Sequence, residues 1–402
     1  MTSGHADIPS KDPIRQLLRE SHLLSADQVA PIVAARAADL GFLETVIYLA
    51  DYEQVSLLPL SGSGVPPRQE LSIEGTVAGL AYRRMQLAHT ERPGSGHHLW
   101  LPLVDGAARL GVIELAVEAT TAEVEDEAST LASLVAELIV VNDLYSDSFS
   151  RIRRRRVMTL AAEIQWDLLP PLTFATNRFV IAGALEPAYE IGGDTFDYAV
   201  TNDTADVLVL DSVGHGLASA LLASAAVGAY RHARRSQLDL PEISQAMNAI
   251  IAQQFGGSQF ATAAIARLDL DTGQLRWVNA GHPAPLILRH GSLIHPPACP
   301  PARPLGLQSG KPLECETRLQ PGDRVLLFTD GIVEARSPDG EYFGEERLAD
   351  FVLRAAAAGD PAPETVRRLM RQVLVHQSDQ LQDDASIIVL EWCTGRERQL
   401  LV

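Results

Sequence analysis

Val207-Leu-Val-Leu-Asp-Ser-Val-Gly-His-Gly216 is an apolar run that ends on an acid and then on a glycine-rich turn. Arg324-Val-Leu-Leu-Phe-Thr-Asp-Gly331 repeats the device, and Asp383-Asp-Ala-Ser-Ile-Ile-Val-Leu390 reverses it, with the acids leading. Short apolar, β-branched runs bounded by turn residues read as buried strands. If the third strand runs antiparallel to the first two, all three carboxylate loops meet at one edge of a sheet. A fourth acidic loop, Gly192-Gly193-Asp194 with Asp197, has the same composition.

Working outward from these loops, strands are expected at 179–185, 205–210, 260–268, 274–278, 286–289, 313–319, 324–328 and 385–391. Asp271-Thr-Gly273 and Pro321-Gly-Asp323 supply turn signals between them. Helical periodicity marks one pair of helices at 217–235 and 241–255, and a second pair at 345–353 and 363–376. Two helical pairs and mainly antiparallel strands imply a layered α/β sandwich, with helices covering stacked sheets.

The N-terminal portion has a different pattern. Asp12 before Pro13 starts a helix, and Ser25 with Gln28 forms a capping box for a second helix ending near Gly41. Strands follow at 44–49 and 55–60, and Asp105-Gly106 turns a hairpin between 99–104 and 109–117. From Glu123 the residues Leu131, Leu134, Val135, Leu138, Val141 and Tyr145 recur at a helical period, and neither Gly nor Pro intervenes before Leu169. One long helix, or two in tandem, is expected to join the halves. The expected organisation is an α+β domain over 12–145, a helical linker over 146–172 and the sandwich over 173–394. Linkers of this kind pair with copies of themselves, so a homodimer is expected.

Composition narrows the function. The 402 residues allow two or three domains, and acids outnumber bases 51 to 33 for a net charge of −18. That balance opposes attraction to nucleic acid or to an anionic membrane. The run Arg151-Ile-Arg-Arg-Arg-Arg156 reads as a solvated helix face or, as the competing reading, a DNA-binding patch. Three cysteines, Cys299, Cys315 and Cys393, form no CxxC pair, so neither a thiolate zinc site nor a disulfide framework is expected. Residues 1–10 lack a basic-then-apolar leader, and no run of about 18 apolar residues occurs, so a cytoplasmic protein is expected.

The acids point to hard divalent cations. Mg²⁺ and Mn²⁺ take carboxylate, carbonyl and water oxygens, and two such ions near one another share a water and lower its pKa. Adjacent glycines let an anion approach the backbone closely. Any one of Asp194, Asp211, Asp330 or Asp383 alone reads as a turn residue or helix cap. Four together read as an oxygen cage. Gly214-His215-Gly216 is either a capped helix start or an anion-facing N-terminus.

Six segments in this order are similar to the SpoIIE-type branch of the metal-dependent (PPM) serine/threonine protein phosphatases. They are Glu190-Ile-Gly-Gly-Asp-Thr-Phe-Asp197, Asp211-Ser-Val-Gly-His-Gly216, Trp277-Val-Asn-Ala-Gly-His-Pro283, the stretch from Pro321 to Ala335, Phe343-Gly344 and Asp383-Asp384. The resemblance implies an αββα sandwich that hydrolyses phosphoserine or phosphothreonine monoesters at two Mn²⁺ or Mg²⁺ ions. It implies Asp194, Asp211, Asp330 and Asp383 as catalytic metal ligands, with the Ser212 carbonyl and, secondarily, Asp384. His282 is expected to shape the rim of the site. Thr195 and the order Ser212-Val213 depart from the family's pattern without removing a carboxylate.

The first 145 residues resemble a GAF sensor domain through the strands at 45–60, Glu74-Gly-Thr-Val-Ala-Gly-Leu-Ala81 and the hairpin at 99–117. The resemblance implies a small-molecule or protein signal there, passed along Gln165-Trp-Asp-Leu-Leu-Pro170 to the catalytic half. The implied substrate is a phosphorylated anti-sigma-factor antagonist or a similar bacterial signalling protein. The competing reading is a non-enzymatic sensor and interaction protein on a degenerate phosphatase scaffold.

Overall fold

The computed structural model describes residues 12–393 and 395, apart from 93, 191, 379 and 380. The leader reading of residues 1–10 and the expected domain end at 394 lie outside the described residues. The chain divides into two compact units at Arg155/Arg156.

In the first unit, α1 (Pro13–Glu20) is capped by Asp12, whose carboxylate accepts from the Ile14 amide, and α2 (Ala26–Asp39) carries the Ser25/Gln28 capping box. Strands β1 (Glu44–Ala50), β2 (Ser56–Pro59) and β3 (Leu71–Ser72) precede α3 (Val77–Arg84). Strands β4 (Ala88–Glu91), β5 (His97–Asp105) and β6 (Ala108–Val117) complete one antiparallel sheet, ordered β3-β2-β1-β6-β5-β4. Leu17, Val33, Ile47, Leu115, Leu131 and Val135 bury one face of it under α2 and α4 (Ala122–Asp143). Tyr48, Ala81, Tyr82 and Val112 form a second apolar cluster with α3.

Where one long helix or two in tandem were expected, the structure has three: α4, α5 (Ser148–Arg153) and α6 (Leu160–Leu168). The first break falls at Ser146, whose hydroxyl accepts from the Ser148 amide, a local bond that competes with helix propagation. Past α5, Arg154 turns extended, at φ −82° and ψ 120°. The arginine run therefore spans a helix end rather than one helix face: Arg153 donates to the Ala50 carbonyl, Arg155 pairs with Glu70, and Arg156 covers the Tyr189 ring.

The second unit holds α6 and two antiparallel sheets. The first sheet, ordered β15-β12-β11-β10-β9, comprises β9 (Asp194–Val200), β10 (Thr204–Ser212), β11 (Ala261–Asp269), β12 (Gln274–Ala280) and β15 (Cys315–Arg318). The second, ordered β14-β13-β16-β17-β8-β7, comprises β7 (Thr173–Ala175), β8 (Phe179–Glu186), β13 (Leu286–Arg289), β14 (Ser292–Ile294), β16 (Arg324–Phe328) and β17 (Ala385–Trp392). Helices α7 (Leu217–Arg235) and α8 (Leu240–Phe255) cover the first sheet through Leu222, Val227, Ile243 and Met247. Helix α11 (Ala362–His376) lies on β8 and β17, packed with α10 (Gly344–Ala357), and a one-turn α9 (Asp330–Val333) follows β16. The layers run helix, sheet, sheet, helix.

Two expectations fail here. The carboxylate loops do not share one sheet edge: β10 lies in the first sheet, β16 and β17 in the second. Strands buried on both faces carry no alternation to say which sheet they join, so apolar content alone did not separate them. The loops still meet, because the sheets stack with β9 and β10 against β17. Second, Cys299 and Cys315 form a disulfide, with Cα atoms 5.9 Å apart, and Cys393 is free. The segment after β14 returns to the edge of β12, a closure that their sequence separation of 16 residues does not reveal.

Candidate functional site

Asp194 begins β9 and stands opposite Asp211 near the end of β10. Strand side chains alternate between faces, so Asp194 and Phe196 share the face against the second sheet, where the Phe196 ring meets Gly183 of β8. Asp197, three residues on, falls on the opposite face. There it is buried in pairs with Arg231, at 2.8 Å, and Arg234, at 3.0 Å, both on α7. Asp197 is thus excluded from the acidic cluster by strand parity.

Thr329, at the end of β16, donates its hydroxyl to Asp194 Oδ2 at 2.6 Å and accepts the Ser386 amide at 2.9 Å. It ties the first sheet's acid to both central strands of the second. The cap position also places Asp330 at the first residue of α9. Asp384 Oδ2 accepts the amides of Gly192 and Gly193 at 2.8 and 2.6 Å, and Asp383 Oδ1 accepts the Asp384 amide at 2.9 Å. Ser219 donates to the Gly192 carbonyl at 2.6 Å and Ser212 to the Gly193 carbonyl at 3.0 Å, so α7 and β10 together fix this turn. Any side chain at Gly193 would collide with the Ser212 carbonyl, and any at Gly331 with the Asp384 carbonyl.

The electrostatics are one-sided. Burial pushes Asp211 up to about 7, and the carboxylates of Asp330, Asp383 and Asp384 push it the same way. Asp194 is raised well above the carboxylate range by burial and by Asp211; Asp330 is raised by burial and Asp383; Asp384 is raised by burial against the pull of its amide donors. Every charge that raises these groups is negative, and the nearby arginines on α7 are committed to Asp197. Like charges gathered in a partly dry site favour a cation among them.

Among the described residues, no three His, Cys, Asp or Glu side chains converge on one point at ligating distance. The cluster is therefore an electrostatic neighbourhood in which Asp194 and Asp384 are held by neutral donors. Its chemistry, all hard oxygen with unbalanced negative charge, fits a hard divalent ion. His215 is exposed beside it. His282 is buried and drawn down to about 4 by that burial; its Nδ1 lies 2.7 Å from Thr262 Oγ1. Asn279 brackets the His282 turn by accepting its amide and donating to its carbonyl. Sequence reasoning missed the orienting roles of Thr329 and Ser219; a hydroxyl directly preceding Asp330 is the one visible sign.

Residues 201–393 match the family model described as Stage II sporulation protein E (SpoIIE). The C-terminal unit is similar in sequence to a SpoIIE-type phosphatase domain. Among curated relatives, the phosphoserine phosphatase RsbU of Bacillus subtilis is 23% identical over 232 residues, covering 58% of this chain and 68% of RsbU. The phosphoserine phosphatase RsbP of the same organism is 23% identical over 194 residues, covering 46% of this chain and 47% of RsbP. The chain thus spans about two thirds of one relative and about half of the other. The solved SiaA-PP2C domain of Pseudomonas aeruginosa aligns with 23% identity and a TM-score of 0.49, covering 58% of this chain and 94% of that one. The SpoIIE-type domain places the enzyme among the protein-serine/threonine phosphatases.

Proposed function

We propose that the SpoIIE-type domain hydrolyses phosphoserine or phosphothreonine in a partner protein, using two Mn²⁺ or Mg²⁺ ions held by its acidic cluster. The observation that carries this reading is the set of mutually repelling carboxylates, Asp194, Asp211, Asp330 and Asp384, raised together with no basic group among them. Asp194, Asp211, Asp330, Asp383 and the Ser212 carbonyl would hold the ions, with Asp384 supporting them. When bound, such ions supply an activated water and neutralise charge on the phosphoryl oxygens. The chain's own contribution is placement. Thr329 fixes the Asp194 carboxylate, and the Gly192-Gly193 amides hold Asp384 in the turn. With no nucleophilic side chain required, attack is a single in-line displacement without a phosphoenzyme. Loss of Mn²⁺-dependent turnover in Asp211→Asn and Asp330→Asn would support the assignment, and unchanged turnover in both would sink it.

The proposed substrate is a phosphorylated signalling protein of the anti-sigma-factor antagonist kind; the relatives' names support the phosphoserine part of that reading. The N-terminal unit, with its six-stranded antiparallel sheet, is read as a GAF-like sensor of a small molecule or protein signal. Helix α6 is the element through which control reaches the catalytic core. Trp166 donates to the Ala188 carbonyl at 2.7 Å, ahead of the Gly192 turn, and Arg231 joins the Leu168 carbonyl, at 2.6 Å, to Asp197 on β9. Equal phosphatase rates for the full chain and for a chain beginning at Arg156 would refute control by the N-terminal unit. A homodimer is assigned to the exposed Val141, Leu144 and Tyr145 at the end of α4, and light scattering tests it.

A further inference from the structure

The disulfide between Cys299 and Cys315 closes a proline-rich loop between β14 and β15. The middle of that loop is pinned to the first sheet and to α8. Ala302 donates to the Asn279 carbonyl at 2.8 Å, Leu305 and Ala261 exchange backbone bonds of 2.8 and 3.0 Å, and Asn248 accepts the amides of Gly306 and Gln308. Its flanks, 299–301 and 309–313, are held by the disulfide and by the exposed pair of Lys311 with Asp239. Between flanks and middle lies a pocket of about 260 Å³, lined in part by Pro300, Pro301, Arg303, Gln308, Lys311 and Pro312.

Register places the pinned middle of this loop, from which both walls of the pocket lead off, near the Ser212 end of the acidic cluster. Ser212 faces Ala261 on β11, and Ala261 faces Leu305, so two strand spacings, roughly 10 Å, separate the Ser212 backbone from the loop. An extended polypeptide covers that distance in about three to five residues. Arg303 is exposed and makes no ion pair among the described residues, in a chain of net charge −18.

Resting on the phosphatase reading, we propose that this pocket receives an acidic side chain of the substrate polypeptide, a few residues from its phosphoresidue. The Cys299–Cys315 disulfide is the redox clasp that keeps the pocket formed. Both cysteines are half-exposed, within reach of an external dithiol. One thiolate of the dithiol attacks a sulfur of the bond and releases the other as thiolate; its second thiol then resolves the mixed disulfide. Two electrons and two protons pass to Cys299 and Cys315, and the dithiol leaves as a disulfide. Opening frees the 299–301 flank, while the bonds at 302–308, the Lys311–Asp239 pair and the pairing of β15 with β12 persist, so the pocket loses one wall without the sheet losing its edge.

The test uses the full chain and two fluorescein-labelled phosphoserine decapeptides, with glutamates or with lysines three to five residues from the phosphoserine. The oxidised protein is expected to bind the glutamate peptide about tenfold more tightly than the dithiothreitol-reduced protein, the worth of one charge-assisted contact. The lysine peptide is expected to bind weakly in both states. Cys299→Ser with Cys315→Ser should behave as the reduced protein and ignore reductant, and Arg303→Glu should abolish the glutamate preference in the oxidised protein. Should the double variant not fold, reduced wild type, verified by alkylation and mass spectrometry, carries the same comparison. Equal affinity in both redox states, or no preference between peptides, would overturn the proposal. Hydrolysis of p-nitrophenyl phosphate with Mn²⁺ separates the two readings. Turnover without redox-dependent binding sinks the pocket alone, whereas no turnover of p-nitrophenyl phosphate sinks the phosphatase reading and the substrate assignment with it.

Discussion

The two units each bury a group of carboxylates, and they treat them in opposite ways. In the N-terminal unit, Glu114 accepts from the Tyr48 hydroxyl at 2.9 Å and from Arg68 Nε at 3.2 Å, while Glu44 takes Arg68 and Arg92, each at 2.6 Å. His98 Nδ1 lies 2.9 Å from Glu114 without the alignment of a hydrogen bond. The Arg68 guanidinium accordingly holds Glu44 below the usual carboxylate range. In the C-terminal unit, Asp194, Asp211, Asp330 and Asp384 are all pushed up. The first group is complete as folded chain; the second has no basic side chain among its described partners to balance it. That contrast separates a structural network from a binding site better than burial or acid count does.

The largest expected effect breaks the contrast at its acidic end. Asp211→Asn should lower Mn²⁺-dependent turnover at least about 1,000-fold, the scale of losing several kcal/mol of transition-state charge stabilisation. The same substitution should raise the melting temperature of the metal-free protein, because it removes one of the repelling charges. A drop in both would mean that Asp211 serves the fold. At the other end, Arg68→Ala leaves two acids without their shared partner and should cost about 3 kcal/mol in urea unfolding followed at Trp100. Stability unchanged by Arg68→Ala would show that water replaces the guanidinium there and that the network is not structural.

Acidity sharpens the comparison. Asp211 has a folded-state value of about 7 against an ordinary 3.8. A raised acid helps folding fully below its unfolded value and ceases to help as pH rises through its folded value. The metal-free C-terminal unit should therefore lose stability between about pH 4 and pH 7 from this group. Mn²⁺ at a hundredfold over its dissociation constant should return about 2.7 kcal/mol at pH 7.5 and progressively less at pH 5, where protons compete for the same oxygens. Calorimetry with and without EDTA reads both. A cation effect as strong at pH 5 as at pH 7.5 would place the ion away from Asp211.

How much of this was legible in the sequence follows from the residues themselves. Asp211 and Asp330 stood out because the first directly follows an apolar run and the second follows one after Thr329, and each is followed by glycine within three positions. Strand β9 did not, because Asp197 breaks its apolar pattern; that acid is tolerated inside only through Arg231 and Arg234, which are 34 and 37 residues away. Membership of two sheets instead of one was hidden for the reason that makes such strands easy to find, their burial on both faces. The disulfide was hidden because spacing describes the chain and not its return. Helix breaks at Ser146 and Arg154 were hidden because neither Gly nor Pro marks them.

Thr329 gives the finest test of the contrast, because it is a neutral donor placed where the N-terminal unit uses a cation. Its hydroxyl gives one hydrogen bond to Asp194 and receives one from the Ser386 amide, and all three residues are buried. Thr329→Val keeps the shape and removes both bonds, at a cost of about 1–2 kcal/mol for the orphaned groups. If the hydroxyl only knits the sheets, unfolding stability falls by that amount and the Mn²⁺ titration is unmoved. If it aims Asp194 at a cation, the apparent Mn²⁺ affinity should weaken by about tenfold, the lower end of what supporting hydrogen bonds contribute at metal sites. Thr329→Ser, which restores the donor without the methyl group, should recover the affinity but not all of the packing. An affinity restored by serine and lost in valine would identify orientation, and equal affinities in the two would leave Thr329 a structural residue like Arg68.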